Sequence, residues 1–307
     1  MKTVSIIIIN FNTSAVTLKC IETLMQYFPH RDLNPEVILV DNNSAYDDYE
    51  NLKQGLAEKF NTVKLIRRKL NAGFAGGNMT GFEYATGDYL MLVNNDVFFT
   101  HDIFTSSVDY LERHSEVGVC GGLPILENGN RIPPFGHNET FLYKLLGNWL
   151  YEKLFSGVAK KEKEYTEPTE VDYVPGCYMA FRMDVFRNIG GLDSNIFLYY
   201  EEMDISERLR KKGLKTMYVP GMEYIHATGS STSRNFNRKK ELIVSNLYVV
   251  RKNHGYFQYL LLKVFFMIVY FFKALVKWRY FKLWWVIMTM GSPLAHSMRH
   301  QQRISDR

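Results

Sequence analysis

Cysteine is scarce. Cys20, Cys120 and Cys177 are the only three among 307 residues, and they are widely spaced and odd in number. They form neither a disulfide framework nor a zinc-ligand pattern, and they fit a reducing compartment. No run has the build of a secretory signal; the opening "MKTVSIIIINFNTS" reads better as a strand. The one conspicuous Gly-rich loop matches neither GxGxxG nor GxxxxGK[ST], so neither the dinucleotide nor the P-loop fingerprint applies. Internal repeats are lacking. Acidic residues are nearly missing from the carboxyl-terminal part: residues 251–307 hold ten Lys/Arg and a single Asp, a net of +9, whereas residues 1–250 carry a net of −4. The overall +5 conceals this split. A basic tail on a mildly acidic body points to an anionic partner, either membrane or nucleic acid.

What is present argues for a packed α/β protein. With 46% hydrophobic residues the chain can bury a large core, which argues against disorder, and its length suits one large or two small domains. "TVSIIIIN", "EVILVDNNS", "TVKLIRR", "DYLMLVNND" and "VGVCGG" are strand candidates. "TSAVTLKCIETLMQYF", "GGNMTGFEYATG" and "DIFTSSVDYLERH" are helix candidates, with Thr13 or Ser14 capping the first. Continuous apolar strands between helices predict a mostly parallel sheet covered on both faces. Ligands bind such sheets beyond the carboxyl ends of the strands. Asn10-Phe11-Asn12, Asp41 and Asp96 all stand at such ends. Residues 124–168 read as loop and helix over the site. Regular pattern returns over 171–232, with "VDYVPGCYMAFR" as a strand and "MDVFRNIGG" and "EEMDISERLRKKG" as helices.

The chemistry-bearing residues admit two readings each. Asp96 ends a buried strand beside Asn94 and Asn95; it could hold a hard divalent cation completed by substrate phosphates, or cap a helix, although Thr100 or Asp102 suits that role better. "NAGFAGGNMTG" opens a helix, and its exposed N–H groups suit a diphosphate; it is otherwise a packing turn. Glu201, Glu202 and Asp204 start a helix, where acids favour the dipole, yet three carboxylates exceed what capping needs and one could act as general base. His226 precedes a Gly-Ser-rich loop. It is a structural histidine, or, paired with Asp96, a metal ligand.

The tail's "YFQYLLLKVFFMIVYFF", residues 256–272, has one lysine in 17 residues. As a helix it spans roughly 25 Å, short of a hydrocarbon core of roughly 30 Å. At 100° per residue Lys252, Tyr259, Lys263, Tyr270, Lys273 and Lys277 fall in one sector, and Trp278, Trp284 and Trp285 follow. This describes a helix lying in a membrane interface with snorkelling lysines; the alternative is a helix packed on the protein's own core. Basic residues interleaved with aliphatic runs do not make a phosphate-binding patch for nucleic acid, so no nucleic-acid partner is expected.

Taken in order, "SIIIINFNTS", "VILVDNNS", "NAGFAGGNMTGFEYATGDYLMLVNNDV", "VPGCYMAFR…IGGLDSNIFLYYEEMDISERLRKKG" and "IHATGSS" resemble the family 2 glycosyltransferases of GT-A fold, in style the bacterial rhamnosyltransferase-like branch. The resemblance covers residues 3–233. It implies a GT-A α/β fold with a mostly parallel nucleotide-binding sheet and an amphipathic, membrane-associating helical segment at the carboxyl end. Residues 1–235 would be the catalytic domain, with a nucleotide-sugar half at 1–122 and an acceptor half at 123–235; residues 236–307 would be the tail. It implies that Asn10, Phe11 and Asp41 lie at the nucleotide, that Asn71, Gly76 and Asn78 border its diphosphate, and that Asn94-Asn95-Asp96 stands in place of the DxD motif with Asn for the first Asp. Asp96 and His226 would hold Mg²⁺ or Mn²⁺. Glu202, in place of the usual Asp, would be the base, with Asp204 in reserve. The implied activity is inverting transfer from a nucleotide-diphosphate sugar to a glycan or lipid-linked acceptor, in bacterial surface polysaccharide synthesis. The implied place is peripheral, at the cytoplasmic face of the plasma membrane, held by residues 252–290. Three rivals compete: a non-catalytic nucleotide-sugar or glycan binder, a nucleic-acid binder and a sugar-nucleotide nucleotidyltransferase. The last wants a Gly-rich loop with embedded Arg or Lys near the amino terminus, which is lacking.

Overall fold

The computed structural model describes residues 1–227, 236–302 and 304. The apolar runs become strands: β1 (Lys2–Asn10), β2 (Leu33–Asp41), β3 (Lys64–Arg67), β4 (Tyr89–Asn94), β5 (Val97–Phe98), β6 (Val117–Ile125), β7 (Thr169–Glu170), β8 (Tyr178–Arg182) and β9 (Lys215–His226). Between them lie α1 (Ser14–Tyr27), α2 (Tyr46–Lys59), α3 (Gly73–Phe82), α4 (Phe104–Arg113), α5 (Phe141–Leu154), α6 (Met183–Asn188) and α7 (Glu201–Lys211). The tail follows as α8 (Phe236–Val276) and α9 (Phe281–Thr289).

The strands form one sheet in the order β3-β2-β1-β4-β8-β6-β9-β5, with β7 on β9. The half made of β3, β2, β1 and β4 is parallel, as expected. The other half is mixed, because β8 runs antiparallel to both β4 and β6, and β5 antiparallel to β9. Along β1, Ile6 and Ile8 enter one apolar cluster and Ile7 the other, so helices on both faces bury the run. Register aligns the polar strand ends: Asn10 stands beside Asp41, and Ile9 beside Asn94.

Three elements differ from expectation. The α2 helix was not anticipated, because it is polar almost throughout and buries only Leu52 and Leu56. In "VDYVPGCYMAFR" only the last five residues, Tyr178–Arg182, are strand, and before Pro175-Gly176 there is a single isolated bridge at Tyr173. β9 carries Pro220-Gly221, which reads as a turn, yet the chain continues pairing with β6 across a register shift.

The tail packs on the body. Its first half reaches Gly255, where φ is +87° and the helix breaks. Before the break, Asn246 Nδ2 donates to Glu139 O (3.0 Å) and Ser245 Oγ to Leu198 O (2.8 Å). After the break, the first part of the sector expected to face water turns inward. Tyr259 is buried and Lys263 Nζ donates to Met290 O at 2.6 Å. Lys252 lies before the break and pairs with Asp193 and Asp204. This part of the polar stripe is taken up by the protein because buried amine and phenol groups need partners. The exposed apolar residues are Phe257, Leu260, Val264, Ile268, Phe271, Phe272 and Leu275, and Lys273 and Lys277 are exposed beside them.

Gly73, at the start of α3, has φ of +72°, and a Cβ there would stand 1.9 Å from Phe197 O. Gly129 also has positive φ but open surroundings. Gly129→Ala should cost about 1 kcal/mol from backbone strain alone. Gly73→Ala should cost a further ~1–3 kcal/mol for the overlap. Urea denaturation of both variants measures the difference; equal losses would mean that Phe197 yields freely.

Candidate active site

A cleft of about 350 Å³ opens at the carboxyl ends of β1, β2 and β4. Phe11, Asn71, Asn94, Asn95 and Asp96 line it, five of the residues expected at the site. Phe11 is 46% exposed, its ring free to stack on a planar ligand. The other expected nucleotide residues lie beneath the walls. Asp41 is fully buried; it accepts from Asn10 Nδ2 (3.0 Å) and Ser44 N (3.2 Å), and Arg67 Nε lies 3.9 Å away. Asn10 Nδ2 also donates to Ser44 Oγ and Asp48 Oδ2. These groups brace the rim. Asn78 Nδ2 donates to Phe74 O (3.1 Å), fixing the first turn of α3, and Gly76 is buried in the same turn.

Asn42 ties the end of β2 to the Gly-rich loop. Its Nδ2 donates to Asn71 Oδ1 (3.0 Å) and Gly73 O (2.9 Å), while its Oδ1 accepts from Ala72 N (3.0 Å). It lines the cleft together with Thr13, Phe74, Phe197, Arg238, Met298 and Gln302. Asn42 belonged to a recognisable strand-end motif. Arg238, Met298 and Gln302 come from the tail, and no local signal in the sequence assigned them to the cleft.

Asp96 and His226 meet through backbone pairing. Val97 of β5 stands opposite His226 of β9, and Ala227 N donates to Asp96 O at 2.9 Å. His226 Nε2 lies 3.2 Å from Asp96 Oδ1, an oxygen that is buried and completes no hydrogen bond. The helix-cap alternative falls away, because Asp102 caps α4, accepting from Phe104 N (2.9 Å) and Thr105 N (3.0 Å). Asn95 Nδ2 donates to Thr13 Oγ1 and Thr17 Oγ1, both at 2.7 Å, locking the turn to α1. A carboxylate with an orphaned buried oxygen beside an imidazole is a donor set that a divalent cation accepts. Among the described residues no group of three His, Cys, Asp or Glu side chains is placed to hold a metal ion. Further positions on a cation would fall to phosphate oxygens and water. The Gly-Ser-rich loop after His226, with most of "IHATGSS", lies at 228–235, outside the described residues.

The acidic helix start divides into distinct groups. Tyr199 and Tyr200, just ahead of α7, both have positive φ (72° and 70°), a strained approach of the kind found at functional sites. Burial pushes the Glu202 carboxyl up to about 7, against its own backbone N–H and with help from the charge of Glu139. A Cβ on Gly176 would lie 3.6 Å from Phe74 Cζ and 3.9 Å from Glu202 Oε2, so Glu202 stands near Phe74 across Gly176, while neither Glu202 nor His226 is itself among the cleft walls. Glu201 is more deeply buried, and burial and then Glu202 raise its carboxyl well above the ordinary range. Asp204, the reserve candidate, is 0% exposed. It is taken up by Arg208 Nε (2.9 Å), Lys252 Nζ (2.8 Å) and Asn253 Nδ2 (2.8 Å), and it is not among the cleft walls.

Comparison with known proteins agrees with this geometry. The sequence model described as "Glycosyl transferase family 2" matches residues 5–190, more than half of the chain. The N-acetylglucosaminyl-diphospho-decaprenol L-rhamnosyltransferase of Mycobacterium tuberculosis is 25% identical over 216 residues, 65% of this chain and 68% of that protein. Rhamnosyltransferase WbbL of Escherichia coli is 26% identical over 148 residues, 46% of this chain and 53% of that protein. Among solved structures, GalNAc-T7 with UDP, GalNAc and Mn²⁺ matches with a TM-score of 0.62 at 17% identity, over 82% of this chain and 48% of that one. The mannosyltransferase PcManGT from Pyrobaculum calidifontis, with GDP-Man and Mn²⁺, matches at 0.56 and 14% identity, over 81% of this chain and 63% of that one. The structural likenesses establish a shared GT-A fold; the sequence match carries the family. The chain belongs to glycosyl transferase family 2.

Proposed function

We propose that this glycosyltransferase inverts the anomeric centre while moving a sugar, of hexosyl or rhamnosyl type, from a nucleotide-diphosphate donor to a hydroxyl of a glycan or lipid-linked acceptor, in bacterial surface polysaccharide synthesis. The observation that carries the reading is the orphaned buried Oδ1 of Asp96, 3.2 Å from His226 Nε2, on the wall of a cleft with an exposed aromatic ring, Phe11. Phe11 stacks on the base, the Asn71–Phe74 turn borders the diphosphate, and Asn94 and Asn95 shape the sugar end. Asp96 and His226 hold Mg²⁺ or Mn²⁺, which when bound offsets charge on the departing diphosphate. Both structural neighbours carry Mn²⁺, in support of this choice of cofactor. Glu202 takes the proton of the acceptor hydroxyl, whose oxygen attacks the anomeric carbon as the nucleotide diphosphate leaves. A carboxyl near 7 suits a base working at neutral pH. Asp204, neutralised by Arg208 and Lys252, organises α7 instead.

The same reading places the enzyme peripherally at the cytoplasmic face of the plasma membrane, through residues 252–290. The helix Phe236–Val276 is apolar and long enough to cross a membrane by length and composition. The break at Gly255 and the docking of one face on the body instead leave its other face to lie along a surface. The basic residues beside it gain up to ~1 kcal/mol each near anionic lipid.

Thermal unfolding with UDP, dTDP, GDP or CMP, each with and without Mn²⁺, should show one nucleotide stabilising only with metal. The gain is about 2.7 kcal/mol at 100 times the dissociation constant, and Asp96→Ala should abolish it. Stabilisation that survives Asp96→Ala would remove Asp96 from the site.

Glu202→Gln should keep nucleotide binding and lose roughly 10²–10⁴-fold in turnover. Wild-type kcat/KM should rise with pH and level off above about 7. The folded carboxyl keeps its proton between about 4.5 and about 7, where the unfolded chain releases it. The native state is therefore penalised as pH rises through that window. Glu202→Gln should melt above wild type at pH 8 and level with it at pH 4. A variant with normal turnover, or with lower stability at pH 8, would contradict this role.

A further inference from the structure

A second cavity, of about 360 Å³, lies between α5, both halves of α8 and the 3₁₀ turn at Trp278–Tyr280. Its walls bring together Lys144, Lys239 and Lys273 with Tyr200, Tyr270 and Tyr280. Of the three ammonium groups, Lys144 alone meets a carboxylate among the described residues, that of Glu139, which Tyr200 Oη also contacts. Lys239 stands 5.1 Å from the centre of the Tyr280 ring, and Lys273 5.0 Å from that of Tyr270. Arg279 adds a further cation, 5.2 Å from the Tyr280 ring. The Tyr280 phenol is drawn below its ordinary range by a hydrogen bond from Arg279, then by one from Lys239 and by that ammonium's charge. Positive charge thus gathers in a hollow with aromatic walls, where each ammonium retains donors that ring faces do not satisfy.

We propose that this cavity binds the phosphate or diphosphate of a lipid-linked sugar acceptor. The inference rests on the glycosyltransferase reading above and adds where and how the acceptor is held. Position supports it. Tyr200, on the cavity wall, is two residues from Glu202, and Glu139 touches Tyr200 while its charge acts on Glu202. A sugar joined to a phosphate in the cavity is therefore directed toward the base. Phe266 and Tyr270 of the cavity wall belong to the same helix that exposes Val264, Ile268, Phe271 and Phe272. The lipid chain lies along that apolar face, while Lys239 and Lys273 take the charge that it cannot. An anionic phosphate is the ligand whose charge and acceptor oxygens match the two ammonium groups that meet no carboxylate, Lys239 and Lys273.

The test is calorimetric titration of the full chain in detergent micelles with farnesyl diphosphate, in EDTA so that the donor cleft lacks metal. Farnesol, inorganic pyrophosphate and phosphatidylglycerol vesicles are parallel probes. Farnesyl diphosphate should bind at least ~10-fold more tightly than either farnesol or pyrophosphate. Lys239→Gln with Lys273→Gln should weaken it by at least ~10-fold, and Asp96→Ala should leave it unchanged. Pyrophosphate binding as tightly would replace the lipid by a free anion. Loss of vesicle binding in the double variant, with farnesyl diphosphate unaffected, would assign the lysines to the bulk membrane surface. No binding of farnesyl diphosphate would end the proposal. Because this readout needs neither donor nor turnover, it fails separately from the nucleotide test of the donor site. Circular dichroism of the double variant confirms that a lost site is not a lost fold.

Discussion

Two residues of strand pairing, Val97 against His226 and Phe98 against Ile225, join the halves of the catalytic rim. Asp96 immediately precedes this short β5, so the pairing presents its carboxylate to an imidazole 130 positions away. Closing so long a loop costs entropy, though the cost grows only slowly with length. Here it is carried by the rest of β9, which pairs with β6 over nearly its full length. The rim thus inherits its geometry from the sheet. In the proposed reading, the Asp96–His226 contact is the point at which donor chemistry depends on a distant segment of chain.

Beneath the rim a polar layer does the positioning. Asn10, Asp41, Ser44 and Asp48 satisfy one another below the cleft, and Asn95 is held by Thr13 and Thr17. Buried polar groups that are fully partnered specify one arrangement, because losing any partner strands a donor or acceptor away from water. Residues such as Asn10 and Asp41 therefore act here as the frame of the cleft. The walls are built by Phe11, Asn42, the Asn71–Phe74 turn and tail residues.

The parallel half of the fold was legible because β1, β2 and β4 are apolar runs with polar ends, and register brings those ends together. The polar α2 and the Pro-Gly-bearing β9 were not legible, since neither carries the periodicity of its structure. Phe11 and Asn71 were found at the cleft because backbone motif and ligand wall coincide. Arg238, Met298 and Gln302 escaped notice because their position depends on how the tail docks, a tertiary fact. The tail's helical nature was legible and its orientation was not. Periodicity shows that a helix has a polar stripe, but whether protein or solvent claims that stripe depends on partners such as Met290 O for Lys263. That Asp204 is taken up by Arg208, Lys252 and Asn253, which bears on the proposal of Glu202 as base, likewise depends on tertiary placement.

In the proposed reading these pieces form one path from donor to acceptor: a cleft on the parallel rim, the buried carboxyl of Glu202 near Phe74, and a cationic hollow beside an apolar surface. The central claim is that Asp96 and His226 jointly hold the cation that meets the donor's diphosphate. Electron-nuclear double resonance on bound Mn²⁺ with the stabilising nucleotide tests it most directly. The account predicts a nitrogen coupling that disappears in His226→Gln and a phosphorus coupling that persists there. Mn²⁺ bound with the phosphorus coupling alone, unchanged by that substitution, would contradict it.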